Sequence, residues 1–147
     1  MTKEMAKSIK LKNNKYWDSS SISHNRELLS TKVINSSGSN SYGNWIKFED
    51  GTMICTRTIA VTIDCTTQWG NLYYGQNNDK FNFAQSFIEP PILNLQYSAT
   101  GAMSFIPIVY SGIVIDKDGF KRIEIGRPNS VTNVGVKVYF IAIGKWK

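Results

Sequence analysis

The hydrophobic and polar positions of this chain keep one strict pattern from Met53 to Thr66. The odd positions read Met, Cys, Arg, Ile, Val, Ile, Cys, six of seven apolar; the even ones read Ile, Thr, Thr, Ala, Thr, Asp, Thr, two of seven. Successive side chains of an extended backbone point to opposite faces, so a period of two over this length predicts a half-buried strand. Just before it, Glu49-Asp50-Gly51 is a tight turn, because Asp-Gly supplies the positive φ a hairpin needs. The strand is therefore predicted to pair with Trp45–Phe48.

Six further strand candidates follow: Leu72–Tyr74, Phe81–Phe87, Ile92–Ser98, Ser104–Tyr110, Ile113–Ile115 with its partner Arg122–Ile125, and Val134–Trp146. Short strands separated by Gly, Asn and Pro predict an all-β protein, an antiparallel β-sandwich or barrel. Pro90-Pro91 must lie outside a paired central strand, since neither residue donates to a ladder. In the last candidate, Phe140-Ile-Ala-Ile143 is apolar at every position. That pattern predicts an inner strand buried on both sides at its centre. Phe81, Phe83 and Phe87 read as one core-facing row. Arg57 interrupts an apolar face, which suggests a bulge or a subunit contact.

Ahead of this region, residues 1–29 form a lead-in with a short hairpin and a helical turn near Asn25–Leu29. Residues 30–44 form a polar Ser/Asn/Gly linker, so the folded domain is expected over 45–147. At 147 residues one domain is expected. The bias toward Ile, Val, Thr, Phe and Tyr suits pleated surfaces. No apolar run approaches the ~20 residues of a membrane span, and the Lys-rich start has no signal core. Cytoplasmic synthesis without membrane insertion is the expectation.

The net charge of +6 is uneven. Residues 1–32 carry seven basic and three acidic side chains, and the other 115 carry ten against eight. Lys3, Lys7, Lys10, Lys12 and Lys15 lack the arginines and interleaved aromatics of a nucleic-acid surface, so a solvated terminal segment fits them better. Cys55 and Cys65 would lie ten residues, or ~33 Å, apart on one straight strand, which predicts free buried thiols.

With His24 the single histidine, and in the lead-in, Ser-His-Asp and Cys-His triads have no support in the globular part. Two Cys and one His match no zinc pattern, and no metal or other cofactor is expected. Asp116-Lys-Asp-Gly119 lacks the closing Glu of an EF-hand and reads as a hairpin turn. The chain is expected not to be an enzyme, although two of its carboxylates could still meet in space as a glycosidase pair.

The segment from Gln68 to Lys80 stands out in composition. Trp69, Tyr73 and Tyr74 offer flat apolar faces, while Gln76, Asn77, Asn78 and Asp79 offer donors and acceptors. Sugars are held by that combination, stacked on rings and bonded through hydroxyls. Core aromatics followed by a solvated loop fit the same residues. Arg127-Pro-Asn129 is a second loop with the same two readings. The candidate ligand-binding set is Trp69, Tyr73, Tyr74, Asn78, Asp79 and Arg127.

Gly38-Ser-Asn-Ser-Tyr-Gly-Asn-Trp-Ile-Lys-Phe-Glu-Asp-Gly-Thr-Met-Ile-Cys55 resembles the start of the C-terminal domain of bacteriophage and prophage tail-fibre proteins. Phe83-Ala-Gln-Ser-Phe-Ile-Glu-Pro-Pro-Ile-Leu93 and Val136-Lys-Val-Tyr-Phe-Ile-Ala-Ile-Gly-Lys-Trp146 are similar to it too, and to H-type lectins. The resemblance covers about residues 38–147. It implies an H-type-lectin-like β-sandwich and a homotrimer at the distal end of a virion tail fibre, recognising the host cell surface. Implied partners are a cell-wall glycan or teichoic-acid-like polymer, with other tail-fibre or baseplate proteins at the N-terminal segment. The Trp-His pair of the lectin family's sugar site has no counterpart here. A structural fibre cap without a ligand and a depolymerase tip are the other two readings. The chain is either a short separate fibre component, which Met1 favours, or part of a longer fibre.

Overall fold

The computed structural model describes residues 34–100, 104–108 and 112–147, and these form an all-β protein. The expected lead-in over 1–29, with its hairpin, its helical turn and His24, lies outside the described residues, as does the end of the Ser104–Tyr110 candidate.

Ten strands make two antiparallel sheets. The first sheet holds β1 (Ile34–Asn40), β2 (Gly43–Phe48), β3 (Thr52–Cys65), β10 (Val131–Lys145) and β6 (Ile92–Ala99), in that order. The second holds β4 (Thr67–Trp69), β5 (Leu72–Asn82), β9 (Gly119–Arg127) and β7 (Ile106–Pro107), with β8 (Val114–Asp116) also paired to β9. The layers pack face to face as a sandwich.

The alternating stretch is β3, and its odd side chains Met53, Cys55, Ile59, Ile63 and Cys65 are buried. Gly51, with a φ of 85°, closes the predicted turn and donates its N–H to Phe48 O at 3.1 Å. Asp50 fastens the same turn by accepting from Thr52 N at 2.8 Å and Thr52 Oγ1 at 3.0 Å. Those two bonds hold the Asp50 carboxyl below the usual range. Both cysteines are free, and burial pushes each thiol up.

Three local readings change. Residues 34–40, inside the expected linker, form β1 and pair with β2 from Ile34↔Phe48 to Asn40↔Gly43. Ser, Asn and Gly have no apolar pattern to show, yet their backbones pair as well as any. Phe81, Phe83 and Phe87 are all in the core, but the strand ends at Asn82. Beyond it the chain is held by the β8–β9 turn, where Phe83 N donates to Asp118 O at 2.8 Å and Phe87 N to Lys117 O at 2.9 Å. At Arg57 the β3–β10 register is unbroken, so there is no bulge; its guanidinium stands over Tyr42, 5.9 Å from the ring centroid.

Phenylalanines lock the layers together. Phe120 of the second sheet meets Phe140 of the first edge-on at 5.4 Å, and Phe83 sits 5.8 Å from Phe140 and 6.3 Å from Phe120.

A change of another kind concerns β10. It is an inner strand, between β3 and β6, but only one of its sides is covered. Ile141 and Ile143 keep 46% and 43% of their surface exposed, and Ile92 beside them keeps 79%. The register aligns Ile92, Ile143, Ile54 and Ile46 in one row across β6, β10, β3 and β2. A neighbouring row brings Asn94, Ile141, Thr56 and Asn44 together. Nothing among the described residues lies over these rows.

Truncating the central ring should therefore be costly. Phe140→Ala is expected to lower the unfolding free energy by about 3–5 kcal/mol, read from urea denaturation as a fall in midpoint at constant slope. A loss under about 1 kcal/mol would mean that the two layers do not depend on this ring.

Candidate binding cleft

The outer face of the second sheet carries a cleft of about 240 Å³ lined by Trp69, Tyr74, Gln76, Ile108, Arg122 and Glu124. Its walls follow from strand register. Residues paired across adjacent strands share a face, and Tyr74 pairs with Gly126 while Gln76 pairs with Glu124. Gly75↔Ile125 and Asn77↔Ile123 alternate onto the other side, where Ile123 and Ile125 are fully buried in the core. Trp69 arrives through the β4–β5 hairpin, in which Thr67↔Tyr74 and Trp69↔Leu72 are paired.

Ile108, next after β7, lines one end, where its N donates to Glu124 O at 3.1 Å. A Cβ on Gly126 would stand 2.9 Å from Ile108 Cδ1, so the absence of a side chain there lets Ile108 lie against the sheet. At the other end β5 and β9 slip register between Asn77 and Lys80, opposite Arg122, whose φ is 77°.

Glu124 is the chemically unusual member. It is only 5% exposed, and it is the one buried charged residue among those described. Its Oε2 meets no donor, and Oε1 faces Arg122 Nη1 at 3.9 Å, beyond hydrogen-bond reach. An ionised carboxylate held out of water without donors is costly. Its charge is felt nearby: burial first, then Glu124, push the Tyr97 phenol above its ordinary value.

Two of the six expected site residues, Trp69 and Tyr74, line this cleft. Tyr73 alternates to the opposite side and packs against the core. Arg127, its cross-strand partner, shares that side; its Nε and Nη1 are buried and unpartnered. Asn78 and Asp79 sit at the register slip, outside the lining, and Asp79 is occupied by Asn77 through bonds of 3.1 and 2.9 Å. Glu124 escapes sequence reading because Ile123-Glu-Ile125 alternates like any strand with a solvated face. Its burial comes from tertiary neighbours, and no local pattern reports that. Asp116-Lys-Asp-Gly119 is the predicted β8–β9 turn, with Asp116 Oδ1 accepting from Asp118 N at 2.8 Å. Lys80 Nζ pairs with Asp116 Oδ2 at 2.9 Å, and that bond leads the lowering of the Asp116 carboxyl.

No protein-family model matches the chain, and no curated protein sequence matches it. Among solved structures, the C-terminal part of the R1 pyocin fiber of Pseudomonas aeruginosa aligns with a TM-score of 0.50 at 13% identity. The alignment covers 74% of this chain and 28% of that one, so the chain spans little more than a quarter of that C-terminal part. An N-truncated R1-type pyocin tail fiber aligns at 0.48 with 14% identity, over 83% of this chain and 94% of the other. The tailspike gp61 of Pseudomonas phage phi297 aligns at 0.43 with 12% identity, over 64% and 16%. The likeness is one of fold.

A carboxylate kept without donors costs stability. Glu124→Leu is expected to raise the unfolding free energy by about 1–3 kcal/mol, measured by urea denaturation. A clear fall would show that Glu124 is a structural requirement and not a site residue.

Proposed function

We infer that this domain is the receptor-binding tip of a tail fibre of a phage or phage-like particle: non-enzymatic, homotrimeric, and directed at glycan on the host cell surface. The observation that carries the reading is the cleft, where two aromatic faces stand beside an amide, a cation and a buried carboxylate with unfilled lone pairs. Such a lining suits a sugar ring, which stacks its C–H face and directs hydroxyls at polar groups. The shared fold with a pyocin fibre supports a place on a virion tail.

Self-association is supported by the first sheet. Between Lys137 and Lys145 of β10, the outer rows of four strands hold Ile, Asn, Gln, Thr and Tyr and no charged side chain. Depletion of charge around an apolar centre is the mark of interface cores, and an isoleucine row this exposed is costly to leave in water. We assign that face to contact with further copies of this chain. Because sheets of a sandwich turn opposite faces outward, the clefts then point away from the contact. Three tethered sites raise avidity without new contacts, which makes weak clefts useful.

The net charge of +6 favours an anionic polymer such as teichoic acid at long range. The N-terminal segment is assigned to attachment to other tail-fibre or baseplate proteins. A depolymerase tip would need two carboxylates flanking the bond to be cut, and the cleft lining includes one, Glu124. The isoleucine face alone would also serve a structural cap with no ligand. That reading predicts a stable oligomer that binds no envelope fraction.

In binding to purified host envelope, Trp69→Ala and Tyr74→Ala are each expected to weaken binding about tenfold or more while circular dichroism stays unchanged. Full binding by both variants would remove the cleft as the receptor site.

A further inference from the structure

Glu124 sets a requirement that a neutral sugar meets only in part. A hydroxyl fills one lone pair and brings no charge to set against the carboxylate, in a place that water scarcely reaches. An ammonium brings up to three donors and the compensating charge together. The rest of the lining points the same way. Trp69 and Tyr74 have ring faces that attract a cation beyond simple stacking. Gln76, paired across the sheet with Glu124, has an amide carbonyl able to accept from it.

Resting on the glycan reading above, we propose that the cleft takes a ligand residue bearing a protonated amine, such as an amino sugar or an aminated polyol unit. The ammonium meets the Glu124 carboxylate, and the carbon skeleton lies against Trp69 and Tyr74. Arg122 is the group it displaces. At 3.9 Å from Oε1, Arg122 Nη1 is too far to hydrogen-bond the carboxylate, so an ammonium that reaches it exchanges a distant counter-charge for a bonded one. The proposal does not conflict with a basic surface. A polymer bearing both signs would be drawn in by the lysines and selected by its amine in the cleft.

The test is a titration of the full chain with D-glucosamine, D-glucose and D-glucuronate at about pH 6, where an amine is protonated, following the Trp69 indole N–H by NMR. Glucosamine should bind about tenfold more tightly than glucose, the step given by one charge-assisted hydrogen bond. Glu124→Gln should erase that difference. Arg122→Asn, chosen because Asn tolerates a φ of 77°, should tighten glucosamine binding by removing its competitor. Equal affinities, a preference for glucuronate, or no response to glucosamine would each overturn the amine assignment. The glycan reading is judged separately. Envelope binding lost in Trp69→Ala, alongside equal sugar affinities, would keep that reading and sink the amine; absence of envelope binding by the unmodified chain would sink the reading itself.

Discussion

The pairing of β3 with β10 is the constraint on which the rest of this fold depends. It runs antiparallel from Thr52↔Lys145 to Cys65↔Val131 and joins the opening hairpin to the end of the chain. One side of this ladder is committed to the core, with Met53, Cys55, Ile59, Ile63 and Cys65 from β3 and Val134, Val136, Val138, Phe140 and Ala142 from β10; Arg57 is the polar exception on that side. A slip of one residue would send all of them to the opposite face. The same register then decides what the outer side shows, so the isoleucine row is a consequence of core packing. Closing so long-range a ladder before it is rewarded also makes slow folding the expectation for this topology.

Sequence made this ladder legible because burial on one side imposes a period of two. The β3 alternation follows from that, while the Asp50-Gly51 turn was legible from the positive φ that Asp-Gly supplies and the inner position of β10 from its apolar run. What stayed hidden depends on tertiary neighbours. β1 is invisible because a Ser/Asn/Gly strand pairs through its backbone and carries no apolar signature. Phe83 and Phe87 are core residues held by turn carbonyls from β8–β9, a contact no strand pattern encodes. Phe140-Ile-Ala-Ile143 was legible as apolar on both sides, but a run of side chains does not say whether its own chain supplies the cover.

The cleft shows the same division. Trp69 and Tyr74 stand out by composition, and register places them together. Tyr73 and Arg127 fall on the other side by strand alternation, which for Tyr73 already follows from a strand over Leu72–Tyr74. Glu124 enters from β9 and Ile108 from just after β7, both far along the chain. The site is therefore a product of pairing: an aromatic hairpin from one segment brought into the same cleft as a carboxylate from another. In the reading proposed above, the two outer faces of the sandwich separate two tasks: self-association on the uncharged outer rows of the first sheet and recognition on the second.

That separation stands or falls on whether the first sheet is covered by copies of the same chain. Sedimentation equilibrium of the full chain at micromolar concentration tests this directly. The account predicts three times the chain mass of 16.6 kDa, reverting to the single-chain mass when Ile143→Asp places a charge in the middle of the isoleucine row. A monomer of 16.6 kDa for the unmodified chain, with the row left open to water, would contradict it.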